Sequence, residues 1–150
     1  MTTRRRLIAT PLQSWERDGL ATALTKVGLP VDDVHESGLL FWRFETYEDV
    51  PVGFGGLELH GPNALLRSLV TLPPLREAGM GAAIVAALEA EAMASKCRAI
   101  YLLTAGQDQF FAHLGYKPCT RDKVPEGIRA SRQFAALCPA SAIVMVKRLA

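Results

Sequence analysis

The segment Leu65-Leu66-Arg67-Ser68-Leu69-Val70-Thr71-Leu72-Pro73-Pro74-Leu75-Arg76-Glu77-Ala78-Gly79-Met80-Gly81 constrains this chain more than any other. An apolar strand stops at the proline pair, and two glycines then lead into the strongest helix of the sequence, Met80 to about Ser95. A helix opens on backbone N–H groups that have no partner inside it, and Ser, Thr, Asp or Asn usually covers them. None of these residues occurs between Leu72 and Ala82. Gly79 and Gly81 instead let a ligand come close to the backbone, Arg76 adds a cation, and the helix dipole favours an anion. A phosphate is the natural cap. A Walker loop would need Gly-Lys-Ser/Thr, whereas Gly81 is followed by Ala82-Ala83. A dinucleotide fingerprint starts directly after its strand and carries a third glycine, whose place here is held by Ile84.

The elements around this turn predict an α/β (mixed α+β) fold, a central mixed β-sheet with helices on both faces. Arg6 to Ala9 reads as a short strand, and Ser14 as the cap of a helix reaching about Val27. Asp32-Asp33-Val34 reads as a turn of helix. Leu39 to Tyr47 and Val52 to His60 form a strand pair, and a third strand runs from Ala64 to Thr71. In the helix from Met80, Ile84, Val85, Leu88 and Ala92 form the apolar stripe. Arg98 to Thr104 is apolar enough to be a central strand. A short helix, Gln107 to Leu114, closes at Gly115. Strands follow at Tyr116 to Thr120 and Ile143 to Leu149, with a helix over Pro125 to Leu137 between them.

One domain over residues 1–150 suits this length. A net charge of +2, with basic residues clustered only at Arg4-Arg5-Arg6, argues against a nucleic-acid partner. No apolar run reaches the eighteen or so residues of a membrane span, and no signal-peptide core follows the arginines, so the expected location is the cytoplasm. Cys97, Cys119 and Cys138 lack disulfide or metal-ligand spacing, and no metal is expected. Whether two copies of the chain pair as a homodimer stays open.

Arg76-x-x-Gly79-x-Gly81 resembles the R/Q-x-x-G-x-G/A motif of the GNAT acetyltransferases. The proline-ended strand before it resembles the strand that lies along the pantetheine arm in that family. Phe110-Phe111-Ala112-His113-Leu114-Gly115-Tyr116 resembles the family's F-Y-x-x-L-G-F segment. Together these motifs span Val52 to Tyr116, close to half of the chain. Leu66-Arg67-Ser68-Leu69-Val70 and the stretch from Ile128 to Ala142 are further similar to a small group of GNAT proteins associated with bacterial arsenic-resistance operons.

The resemblance implies an acetyl-CoA-dependent N-acetyltransferase for a small-molecule amine, linked to arsenic or toxic amino-acid resistance. The runner-up is a catalytically degenerate acyl-CoA-binding or sensing module. It also implies that Leu69, Val70, Thr71, Arg76, Glu77, Ala78, Gly79, Met80, Gly81 and Phe111 meet the coenzyme. A strand N–H near Leu69 to Thr71 would polarise the thioester carbonyl. Phe111 stands where many relatives carry a tyrosine acid, so Tyr116, His113, Cys138 or water must protonate the leaving thiolate. Glu58 is the foremost candidate base, with an exposed-face glutamate as the alternative, and His60 is second. Arg67, a charge among leucines, either holds a substrate carboxylate or pairs with Glu58.

Overall fold

Glycines in the third strand set how closely a helix can lie on the sheet. In the computed structural model, which describes residues 7–27, 39–72, 79–131, 134 and 142–149, that strand is Pro51–His60, labelled β3. A β-carbon at Gly53 would lie 1.9 Å from the Val70 carbonyl oxygen and 3.1 Å from Ile84. One at Gly55 would lie 2.7 Å from Leu88. Only hydrogen fits at these two positions, and the long helix therefore lies directly on the backbone of β3.

The described strands are β1 (Ile8–Pro11), β2 (Leu39–Glu45), β3, β4 (Asn63–Thr71), β5 (Ala99–Thr104), β6 (Lys117–Pro118) and β7 (Ile143–Arg148). They form one sheet in the order β1-β2-β3-β4-β5-β7-β6. All neighbours are antiparallel except β4 and β5, which the helix α2 (Met80–Ala94) joins as a parallel crossover. The sheet is mixed, as the sequence predicts. β5 is central and buried along nearly its whole length.

Three apolar clusters divide the two faces. α2 brings Met80, Ile84, Val85, Leu88 and Ala92 onto Phe44, Val52, Leu57, Ala64, Leu66 and Ile100. On the other face, α1 (Arg17–Lys26) sets Leu20 and Leu24 against Leu39, Phe41 and Val70. Further along that face, α4 (Glu126–Arg129) packs Ile128 over Leu65, Tyr101 and Val144. The remaining helix, α3 (Asp108–His113), ends at Gly115, whose φ of 98° is the left-handed conformation that glycine tolerates.

The structure moves several boundaries. β1 begins at Ile8 and includes Pro11, which an edge strand accepts. Ser14 does not cap α1. It opens a single 3₁₀ turn, Ser14–Glu16, and the Glu16 carboxylate accepts from the Gln13 N–H at 3.0 Å. Arg43 holds the same carboxylate at 2.7 Å, so a charge from β2 fixes where the helix starts. Within the span expected as a helix, Pro125 to Leu137, α4 ends at Arg129, where the Ser131 hydroxyl turns back to the Ile128 carbonyl at 2.6 Å; residues 132, 133 and 135–137 lie outside the described residues. β6 is reduced to two residues. The helical turn expected at Asp32-Asp33-Val34 lies outside the described residues.

A contrast between two glycines tests the close approach. Gly53→Ala should lower the unfolding free energy by about 3 kcal/mol or more, because backbone must move to admit the methyl. Gly61→Ala, in open space at φ 62°, should cost only the roughly 1–2 kcal/mol of a left-handed alanine. Urea unfolding of both variants measures the difference.

Candidate active site

The register of β4 changes midway. Phe54 pairs with Val70 and Gly56 with Arg67, so Ser68 and Leu69 together face the single residue Gly55. This is a β-bulge, and Ser68 takes φ 58° within it. The bulge resets the alternation of side chains. Arg67 and Val70, three residues apart, therefore share the face covered by α1, while Leu66 and Leu69 pack toward α2.

A bulge also bends its strand. The β4–β5 pairing is confined to Asn63↔Ala99, Ala64↔Ile100 and Leu65↔Tyr101, and β5 continues instead along β7 to Thr104↔Ile143. The two strands thus part beyond Leu65, and the sheet opens as a wedge. Leu72 N–H donates to the Val52 carbonyl at 2.8 Å, so strand alternation turns the Thr71 N–H away from β3, toward the wedge.

Three elements meet at the mouth of this wedge. A β-carbon at Gly81, in the first turn of α2, would lie 3.5 Å from Thr71 Oγ1 and 3.2 Å from the Phe110 ring. Gly79 holds the cap position at φ 74° and, as glycine, has no side chain with which to cap the helix. The opening N–H groups of α2 are thus presented beside the end of β4, an arrangement suited to a phosphate. Arg76, Glu77 and Ala78 lie outside the described residues.

The phenylalanine pair is arranged differently from the expectation. Phe110, which the sequence reading passed over, is the ring against Gly81. Phe111 is buried in the main cluster, edge-on to Phe110 at 5.0 Å and to Tyr116 at 5.8 Å. Adjacent residues of a helix point about 100° apart, so only one of the two rings can face the turn.

Tyr116 is also enclosed, and its hydroxyl donates to Glu89 Oε2 at 3.0 Å. Lys147 Nζ reaches both Glu89 oxygens at 3.1 Å and the Leu114 carbonyl at 2.8 Å. Burial, reinforced by the Glu89 charge, pushes the phenol well above its ordinary pKa. Tyr116, one of the candidate acids, thus ties α2, the α3–β6 turn and β7 together. Glu89 and Lys147 were missed, although Lys147, with Arg148, interrupts an otherwise apolar stretch from Ile143 to Leu149 and so signals a partner. His113 is exposed at the end of α3 and donates from Nδ1 to the Gln109 carbonyl at 2.8 Å. Cys138 lies outside the described residues.

On the opposite face, between the clusters under α1 and α4, the structure brings Glu58 and Arg67 together. Glu58 is flanked in the sheet by Leu39 and Leu65. Its Oε2 lies 3.8 Å from Arg67 Nη1, and its Oε1 lies 2.9 Å from His60 Nε2. The Arg67 side chain has no exposed surface, and its guanidinium lies over the Phe41 ring at 5.6 Å. Arg17 lies over the same ring at 5.1 Å and donates to the Leu39 carbonyl at 2.9 Å. Among the described residues, no group of three or more His, Cys, Asp or Glu side chains could hold a metal ion. None of the described helices is long and apolar enough to cross a membrane.

A sheet that splits between β4 and β5, with an uncapped helix start at the split, defines a class. The profile of the acetyltransferase (GNAT) family matches residues 8–117. The chain belongs to that family. No curated protein matches its sequence. Among solved structures it is similar to N-acetylglutamate synthase from Neisseria gonorrhoeae, crystallised with coenzyme A and L-arginine. That likeness has a TM-score of 0.76 at 16% identity and covers 97% of this chain but 34% of the synthase, so the chain spans about a third of that protein's length. A GNAT acetyltransferase from Staphylococcus aureus superposes with TM-score 0.71 at 14% identity, covering 96% of this chain and 99% of the other. A Mycobacterium tuberculosis protein in complex with CoA gives 0.73 at 18% identity, covering 95% and 99%.

Tyr116→Phe should separate a catalytic from a structural phenol. It removes a hydrogen bond to a charged partner, so unfolding free energy should fall by about 1.5–3 kcal/mol while turnover of the folded enzyme stays near wild type. The raised pKa means that the fold prefers the neutral phenol. Its contribution is complete below about pH 10 and is lost as the pH rises further, when the unfolded chain ionises first. Alkaline destabilisation should therefore be smaller in the variant. A collapse of turnover at unchanged stability would return the acid role to Tyr116.

Proposed function

We propose that residues 1–150 form one GNAT domain that transfers an acetyl group from acetyl-CoA to the amine of a small molecule in the cytoplasm. Its likeness to the proteins of arsenic-resistance operons supports a role in arsenic or toxic amino-acid resistance, with a toxic amine as acceptor. The observation that carries the activity is the wedge between β4 and β5, with the uncapped start of α2 at its mouth.

Acetyl-CoA supplies the thioester carbonyl that the amine attacks. The backbone from Arg76 through Glu77, Ala78, Gly79 and Met80 to Gly81 holds the pyrophosphate, with the Arg76 cation beside it. The backbone of Leu69, Val70 and Thr71 lines the pantetheine arm, and the Thr71 N–H, which points away from β3, polarises the thioester oxygen. Phe110 supplies the apolar wall at the turn. Glu58 takes the proton of the amine, and Arg67 steadies the carboxylate between turnovers. Neither phenylalanine can give a proton, and the Tyr116 hydroxyl is committed to Glu89, so the leaving thiolate takes its proton from water. The same lack of an acid favours the second reading, a binder that senses acyl-CoA without turnover. Release of CoA thiol with a panel of small amines separates the two.

Acetyl-CoA should raise the melting temperature of the wild type. Gly81→Ala crowds Phe110 without adding charge and should keep part of that rise, whereas Gly81→Asp sets a carboxylate at the phosphate position and should abolish it. Equal coenzyme shifts in both variants would remove the pyrophosphate from this turn. Glu58→Gln should bind coenzyme normally and lose turnover by roughly a hundredfold or more, the loss shrinking as rising pH deprotonates the amine in solution. If Glu58 serves only as the partner of Arg67, the substitution lowers the melting temperature and spares turnover.

A further inference from the structure

Glu58 is poorly placed to lose a proton directly to water. Its side chain is 14% exposed, it sits between Leu39 and Leu65, and one oxygen faces the fully covered Arg67. A base that accepts a proton in every cycle must also release it in every cycle. The other oxygen faces His60, which is more open at 24%. Imidazole is the side chain that both takes and releases a proton near neutrality.

The ring of His60 is hydrogen-bonded at one edge and has Gly127 beside the other. Nε2 lies 2.9 Å from Glu58 Oε1. At Nδ1, a β-carbon on residue 127 would stand 3.3 Å away, and α4 presents Gly127 there. A larger residue at 127 would press on the imidazole and turn it from Glu58. The charged groups beside the ring are Glu58 on β3 and, beyond it, Arg67 on β4; on α4 the exposed Glu126 and Arg129 stand on either side of Gly127-Ile128.

We propose that His60 is a relay residue that empties Glu58 after each turnover, carrying the amine's proton from the carboxylate to solvent. The proposal rests on the reading of Glu58 as the base. The proton leaves the attacking amine for the Glu58 carboxylate as the N–C bond forms. In the tautomer that carries its hydrogen on Nδ1, His60 takes the proton from Oε1 at its free Nε2, which restores the carboxylate. The imidazolium then gives its Nδ1 proton to water or to a dissolved buffer base, and the neutral ring regains its starting tautomer by exchange with solvent before the next turnover. Each transfer moves one proton, and no further reactant is needed.

The test compares His60→Gln, His60→Ala and Glu58→Gln in the full chain, with acetyl-CoA and an amine that the wild type acetylates. Glutamine can still donate a hydrogen bond to Glu58 but cannot carry a proton onward. His60→Gln should keep the melting temperature, the coenzyme shift and the KM values, and lose kcat by roughly tenfold or more. Its remaining rate should climb with buffer concentration, and imidazole should restore turnover to His60→Ala. Wild-type kcat in His60→Gln beside a crippled Glu58→Gln overturns the relay and leaves the base assignment standing. Full turnover in Glu58→Gln overturns both. A slow His60→Gln with a lowered melting temperature, and no response of either His60 variant to buffer or imidazole, assigns His60 a packing role and also overturns the relay.

Discussion

One extra residue in β4 shapes both sides of this protein. A regular strand would keep pairing with β5 and present alternate side chains to alternate faces along its whole length. The bulge at Ser68 and Leu69 bends β4 away from β5 and shifts the alternation by one. The first effect opens the wedge beside the start of α2. The second keeps Arg67 on the face of Glu58 while Val70 still packs under α1. Ser68 adopts a left-handed conformation to do this, a strain of about 1–3 kcal/mol that the surrounding pairings must hold.

The glycines of β3 are the counterpart of that bulge. Gly55 stands opposite its two residues, and Gly53 lies against the Val70 carbonyl just beyond it. With side chains there, α2 would be lifted from the sheet and its first turn carried away from Thr71. Gly56 does the same work on the other face, where a β-carbon would lie 2.5 Å from the Phe41 ring. The ring can therefore lie across the strand, with Arg17 and Arg67 both over it. One run of small residues thus sets how closely both faces of the sheet are packed, beside the wedge and under Phe41.

These relations explain what the sequence made legible. The glycine-bearing start of α2 was readable because it departs from a local rule, a strong helix whose sequence offers no capping side chain. The strand order through β5 was readable from apolar runs and turn residues, and Glu58 and Arg67 from being charges among leucines. The bulge was not readable, since nothing in Arg67-Ser68-Leu69 departs from strand composition. The choice between Phe110 and Phe111 was equally hidden, because it depends on the rotation of a six-residue helix fixed by Tyr116, Glu89 and Lys147. Those three residues come from distant parts of the chain, and local pattern cannot join them.

That network also gives a physical reason for phenylalanine at 111. The ring sits in the core, edge-on to two other aromatic rings. A hydroxyl added to a buried ring must find a partner or cost about 1–3 kcal/mol. The carboxylate that satisfies the neighbouring Tyr116 is already engaged by that hydroxyl and by Lys147. Phenylalanine keeps the packing and makes no such demand. In this chain the aromatic segment after β5 therefore serves to hold α3 against the start of α2, and the paired charges Glu58 and Arg67 lie on the other face of the sheet.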